Sequence, residues 1–305
     1  MPIAIAYAFV EYKLSAIPNS YNQKRSFFEA RMDRISILSL GTSHIYYGVN
    51  PDYFSLYGFN LSNTDQSLYY DKRLTLKYID KMPRLKIVII EVCYFSLYYQ
   101  LRNNPVENWR DYFYSQFWGI NYKDLPLWDM KRYSKIALYT PDKVKEFNRS
   151  GFHVNLAGNM DGNGYMRLDT SKTGENEKLN AAEGKTKMEL WRKLIDTTQY
   201  GYIYNDLAAF VKELKNRKIE VIFINAPVLP FISDLCDTAI FNKNNQSIAN
   251  LCNTYHCKYF NYFTDTRFAR KEFIDVDHLN MAGAAHFSEI INNEIIMPLM
   301  TLNSY

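Results

Sequence analysis

Along this 305-residue chain, short apolar runs alternate with longer stretches of helical periodicity. The short runs are Ile35 to Leu40, Gly58 to Ser62, Leu85 to Val92, Ile219 to Asn225 and Lys258 to Phe263. Each is only a few residues long, several are rich in β-branched residues, and Gly, Pro or polar clusters bound them. That combination predicts strands covered on both faces. Between them, Phe27, Phe28 and Met32 predict a helix within 18–33 that leads into the first strand. Leu68, Leu74, Tyr78 and Ile79 place another between Asp65 and Lys81, ended by Pro83. A long apolar face resumes at Met188 and runs to Leu214, with a break expected near Gly201. Further helices are expected over Ile240–Tyr255 and from about Met281 to Pro298. Strands alternating with helices predict a three-layer α/β/α sandwich around a parallel sheet of about five strands.

The alternation fails after the third strand. Residues 97–190 hold an aromatic stretch, Trp109 to Tyr122, followed by a long Gly-, Asn-, Asp- and Lys-rich tract from Leu156 to Lys187. A loop of that length inside a compact domain is uncommon and is often functional. The expected organisation is a lead segment over 1–33 and one α/β domain over 34–305. An insertion at about 97–190 caps the carboxyl ends of the strands, with the 109–122 aromatics lining a groove.

Composition narrows the function classes. Apolar residues make up 47% of the chain, enough for a substantial core. Lys and Arg exceed Asp and Glu by 36 to 32, a net charge of +4, and no run of five or six basic residues occurs. Nucleic acid is therefore not an expected partner. Of the four cysteines, Cys93 reads as a buried thiol in a strand, while Cys236, Cys252 and Cys257 leave room for one bridge in an oxidising compartment. Cys252, His256 and Cys257 lack a second ligand pair at zinc-finger spacing, so no metal is expected. No cofactor is called for. The apolar start, Pro2 to Val10, is shorter than the roughly twenty residues of a spanning helix. It reads either as the remnant of a membrane anchor or as a small helix docked on the domain.

The chemistry sits at the two ends of the domain. Gly41-Thr42-Ser43 forms a tight turn at the end of the first strand, where open α/β sheets place their ligands. Asp275-Val-Asp277-His278 puts a carboxylate and an imidazole three residues apart, just ahead of a helix. A serine hydroxyl needs a base to take its proton, and the base needs an acid to orient it. Ser43 as nucleophile, His278 as base and Asp275 as orienting acid supply the three roles. Asp277 is the rival acid, and His44, next to the nucleophile, either contacts substrate or packs beside the turn.

"GTSHIYYGVNP" and "DVDHLNMAGA" together resemble the SGNH (GDSL-like) hydrolase superfamily, and more closely its membrane-anchored DltD-like and alginate-acetylation-like branch. The resemblance implies an SGNH hydrolase-like fold with a flavodoxin-like sheet. It implies a serine-dependent esterase or O-acetyltransferase acting on an acylated polysaccharide outside the cytoplasm, with a membrane acyltransferase as partner. It also implies an oxyanion hole. The Ser43 N–H is its first donor, and Asp65 stands where the family has a Gly, with Asn63 as the alternative. The family's third donor, an Asn after the third strand, is missing from Val92-Cys93-Tyr94-Phe95-Ser96, which leaves the Tyr94 or Ser96 hydroxyl for that role. The other reading is a non-catalytic polysaccharide-binding or assembly component that retains the fold.

Overall fold

The computed structural model describes residues 2–168 and 179–303. Five parallel strands, β1 (Ile37–Leu40), β2 (Gly58–Asn60), β3 (Ile87–Glu91), β4 (Glu220–Asn225) and β5 (Lys258–Asn261), pair in the order β2-β1-β3-β4-β5. The chain reverses its direction of sheet growth between β2 and β3, so β1 and β3 flank the switch point at which such sheets bind ligands.

Side-chain alternation divides the core. Leu38, Leu40, Val88, Ile90, Val221 and Phe223 face one layer, while Ile37, Ile87, Ile89, Ile222 and Ile224 face the other. The register sets Leu38 beside Val88 and Ile89 beside Ile222, so like faces coincide across the sheet. A slip of one residue would exchange the two faces. The first layer includes the helices Ser20–Glu29, Leu68–Tyr78, Tyr200–Asn216 and Thr238–Tyr255, and the second the helix Met281–Ile291.

Three expectations change. The aromatics of 112–122 build core and do not line a groove. Tyr112, Phe113, Tyr114, Phe117, Trp118 and Tyr122 are all buried, and of the aromatics in that stretch only Trp109 is exposed. Tyr21 packs on Phe113 and Tyr114 at 5.2 and 5.0 Å, Tyr114 stacks on Tyr70 at 3.8 Å, and Trp118 meets Phe28 and Tyr78 at 6.1 Å. The stretch thus fills the space between two helices of the first layer. Helical structure also begins earlier than Met188, at Ala181–Leu194. Its Gly184 looked like a loop residue, but a Cβ there would lie 2.1 Å from the Phe231 carbonyl oxygen, so glycine permits close packing. The helical break falls over Ile195–Gln199, where Asp196 caps a single turn, and Gly201 continues the following helix. The loop expected over Leu156–Lys187 lies partly outside the described residues.

At the start, Pro2–Ala16 is a helix of 15 residues. Leu14 and Ile17 pack with Phe147, and Glu11 accepts hydrogen bonds from the Lys135 and Ile136 backbone at 2.8 and 3.2 Å. Ile3, Ile5, Phe9 and Tyr12 remain exposed. No helix among the described residues is long and apolar enough to cross a membrane.

Candidate active site

The turn after β1 is shaped by its glycine. Gly41 has φ +148°, and a Cβ there would lie 2.6 Å from both Cβ and Oε2 of Glu91. Only glycine lets the neighbouring strand's carboxylate approach so closely. Glu91 uses that approach: its Oε2 accepts from Thr42 N at 2.7 Å and from Thr42 Oγ1 at 2.8 Å. Thr42 caps the short helix Ser43–Gly48, so Ser43 stands at its first position, partly accessible.

The second block is equally local in its logic. Asp275 Oδ1 accepts from the backbone N–H of Asp277 at 3.1 Å and of His278 at 2.7 Å. Its other oxygen lies 2.8 Å from His278 Nδ1, so one carboxylate fixes both the loop and the ring. Asn280 then caps the helix Met281–Ile291 through the N–H groups of Ala282 and Gly283. The fold brings this loop to the β1 turn: His278 Nε2 is 2.8 Å from Ser43 Oγ, across 235 positions of sequence. With the proton on Nδ1 facing Asp275, Nε2 accepts from the Ser43 hydroxyl.

Glu91 and Lys187, not singled out by sequence, join His44 and Asp277 to complete the site. His44 is buried, with Nδ1 2.7 Å from Glu91 Oε1 and Nε2 3.3 Å from Asp277 Oδ2. Asp277 also meets Lys187 Nζ at 2.9 Å and His278 Nδ1 at 3.3 Å. Burial pushes the Asp277 carboxyl up, but the charge of His278, the His44 hydrogen bond and the charge of Lys187 together hold it well below the usual range. Glu91 lies in the apolar run Leu85 to Val92, and a lone acid inside a buried strand was the signal that could have found it. Lys187 carried no such signal, because its meaning depends on which helix faces the loop.

The expected oxyanion donors are distributed unevenly. Asp65, in the Gly place, has φ +55°, the left-handed conformation that glycine adopts without cost. The Tyr99 hydroxyl donates to its carbonyl at 3.1 Å. Burial raises the Asp65 carboxyl pKa against the pull of Arg110, His278 and Lys187. Asn63 is buried, and its side-chain oxygen accepts from Thr64 N at 2.9 Å. The Tyr94 hydroxyl accepts from Asp237 N at 2.9 Å, at the start of Thr238–Tyr255, and its ring stacks on Trp191. The Ser96 hydroxyl accepts from Cys93 N at 2.9 Å. Both hydroxyls thus take part in local structure.

All four cysteines are free thiols. His256 adopts the left-handed conformation that ends Thr238–Tyr255, and His286 faces Glu272 at 2.8 Å. Among the described residues, the donor groups close enough to share a metal ion are His44–Glu91–Cys93 and His44–Asp277–His278. In both, the carboxylates are already engaged with protein donors.

An open cleft of about 530 Å³, lined by Asn159, Met160, Asp161, Arg167 and Met281, lies beside the helix that follows the His278 loop. Tyr47 is partly accessible, with its ring 5.5 Å from that of His278.

A family model matches residues 168–300, less than half of the chain, and its description names no activity. A search of curated proteins finds no match. Among solved structures the chain is similar to a GDSL-like lipase from Bacteroides thetaiotaomicron, at 11% sequence identity and a TM-score of 0.39, over 92% of this chain and 100% of that one.

Proposed function

We propose that this chain is a serine-dependent acyl-ester hydrolase or O-acyltransferase, with Ser43 as nucleophile, His278 as general base and Asp275 as the acid that orients it. The observation that carries the reading is the unbroken line Ser43 Oγ to His278 Nε2 at 2.8 Å and His278 Nδ1 to Asp275 Oδ2 at 2.8 Å. His278 takes the hydroxyl proton as Ser43 Oγ attacks the ester carbonyl. The tetrahedral oxyanion faces the backbone N–H groups of Ser43 and Asp65, the two donors that need no side chain. Collapse breaks the bond to the leaving alcohol, which takes the proton from His278, and leaves an acyl-Ser43 ester. Water or a sugar hydroxyl, deprotonated by the same imidazole, then carries the acyl group away.

The substrate of this proposal is an O-acetylated polysaccharide outside the cytoplasm, with a membrane acyltransferase as partner. Its support is the resemblance of the two motif blocks, together with a partly accessible aromatic ring at Tyr47 and a polar cleft beside the helix that follows the His278 loop. Sugars pack their apolar faces on such rings while polar side chains meet their hydroxyls. The binding-component reading is favoured by one observation, a carboxylate at Asp65 near the proposed oxyanion position. Acetate release from a chromogenic acetyl ester separates the two. Turnover by the parent chain that disappears in Ser43→Ala supports the enzyme. Equal release by both proteins refutes it.

A further inference from the structure

Beside the Ser43–His278–Asp275 line runs a second, buried one. Glu91 closes β3, His44 follows the nucleophile, and Asp277 sits between Asp275 and the base. The His44 ring has a carboxylate oxygen at each nitrogen, Glu91 at 2.7 Å and Asp277 at 3.3 Å. A neutral imidazole has one N–H and would turn a lone pair toward one of those acids. Neither acid is placed to take up the proton instead. Glu91 already accepts two donors from Thr42, and Asp277 meets the Lys187 ammonium.

Resting on the function proposed above, we infer that Glu91, His44 and Asp277 form a positioning chain for the catalytic base. A doubly donating His44 ties the β1 turn to β3 and holds the Asp277 carboxylate beside His278. The imidazolium that forms on His278 during proton transfer then meets two carboxylates, Asp275 at 2.8 Å and Asp277 at 3.3 Å. The cluster balances its charge, with buried Glu91 and Asp277 against buried His44 and the partly accessible Lys187. A buried pair without such balance carries a large desolvation cost. Burial disfavours a charged His44, but the Glu91 carboxylate and the hydrogen bonds to Asp277, Cys93 and Glu91 outweigh it and raise its pKa well above the ordinary value. The other neighbours of this chain are the Trp191 ring at 5.7 Å from His44 and the buried Asp71 near Glu91. His44 touches no reacting atom. It acts through Asp277 and through the turn that carries Ser43.

The test compares wild type with His44→Gln, reading the rate of Ser43 labelling by a fluorophosphonate across pH, and adds ring-nitrogen NMR on the unmodified wild-type protein. The wild-type His44 ring should show two N–H protons at pH 8, where a free histidine shows one. His44→Gln should label about 10²-fold more slowly, the scale of a misplaced catalytic group. Its acid limb should also move to higher pH by about one unit, because protonated His278 no longer faces the like charge of the His44 ring 5.4 Å away. A uniform loss of rate with an unmoved acid limb makes His44 merely structural and overturns the inference, as does a single ring N–H in wild type. Wild-type labelling matched by His44→Gln in rate and pH profile sinks the positioning chain and leaves the Ser43 reading standing. Absence of wild-type labelling sinks both. Should His44→Gln fail to fold, the NMR count on wild type decides.

Discussion

At the scale of single residues, the site divides into parts whose chemistry is local and parts whose chemistry is not. Asp-x-x-His spacing lets Asp275 hold its own loop and the His278 ring, and the four letters of sequence offered the Asp275–His278 pairing with Asp277 as its rival. Glu91 and Lys187 could not be read so. Their partners come from a neighbouring strand and a facing helix, and the Glu91 contact exists only because Gly41 has no Cβ. Asp277 was weighed only as the rival of Asp275, yet it joins His44, Lys187 and His278. Its depressed pKa has a consequence for stability. A carboxylate with a folded pKa below its unfolded value of about 3.9 stabilises the fold above that pH and loses the contribution as pH falls through the folded value. His44 has the opposite sign: its contribution is complete below about 6.5 and fades as pH rises through a folded value well above that. Urea unfolding at a series of pH values should therefore show Asp277→Asn less stable than wild type above about pH 5, with the gap closing below about pH 4. A gap independent of pH would show that the Asp277 charge does not contribute.

At the scale of elements, β1, β3 and β4 were legible because they are covered on both faces, which leaves a compact apolar run in the sequence, while the edge strand β5, half-exposed, was marked by its aromatic residues. The helices were legible where one face is apolar and the other wet. Legibility failed where packing overrode local signals. Gly184 and its polar neighbours read as loop and are helix, because a glycine there lets the helix touch the Phe231 backbone. The aromatics after Trp109 read as the lining of a groove and are core, because they fill the gap beside the helices Ser20–Glu29 and Leu68–Tyr78. Lys24 is another such case. It is buried in an apolar layer, its ammonium donates to the carbonyls of Asn60 and Ser62, and nothing in the sequence marked it. The aromatic assignment has a direct check. Trp118→Ala should cost about 3–5 kcal/mol of stability, the usual range for emptying a buried aromatic site. A groove aromatic would be replaced with little change in the unfolding midpoint, so a loss below about 1 kcal/mol would contradict the core assignment.

At the scale of the whole molecule, the site is assembled from segments that are distant in sequence. The β1 turn supplies Ser43 and His44, β3 supplies Glu91, the helix Ala181–Leu194 supplies Lys187 and Trp191, and the loop before Met281–Ile291 supplies Asp275, Asp277 and His278. The sheet order explains the meeting, since β1 and β3 are adjacent at the switch point and the final loop returns across their carboxyl ends. The region between β3 and the helix Tyr200–Asn216 therefore contributes to both core and site: its aromatics support the first layer, while Lys187 reaches Asp277 beside His278. The measurement that tests the central claim most directly is the intact mass of the folded chain after incubation with a serine-directed phosphonate. The account predicts a single adduct, mapped to Ser43, absent from Ser43→Ala and formed about 10² to 10⁴ times more slowly in Asp275→Asn, where the base loses its orienting acid. A folded wild-type chain that takes up no adduct, or an adduct that persists in Ser43→Ala, would contradict it.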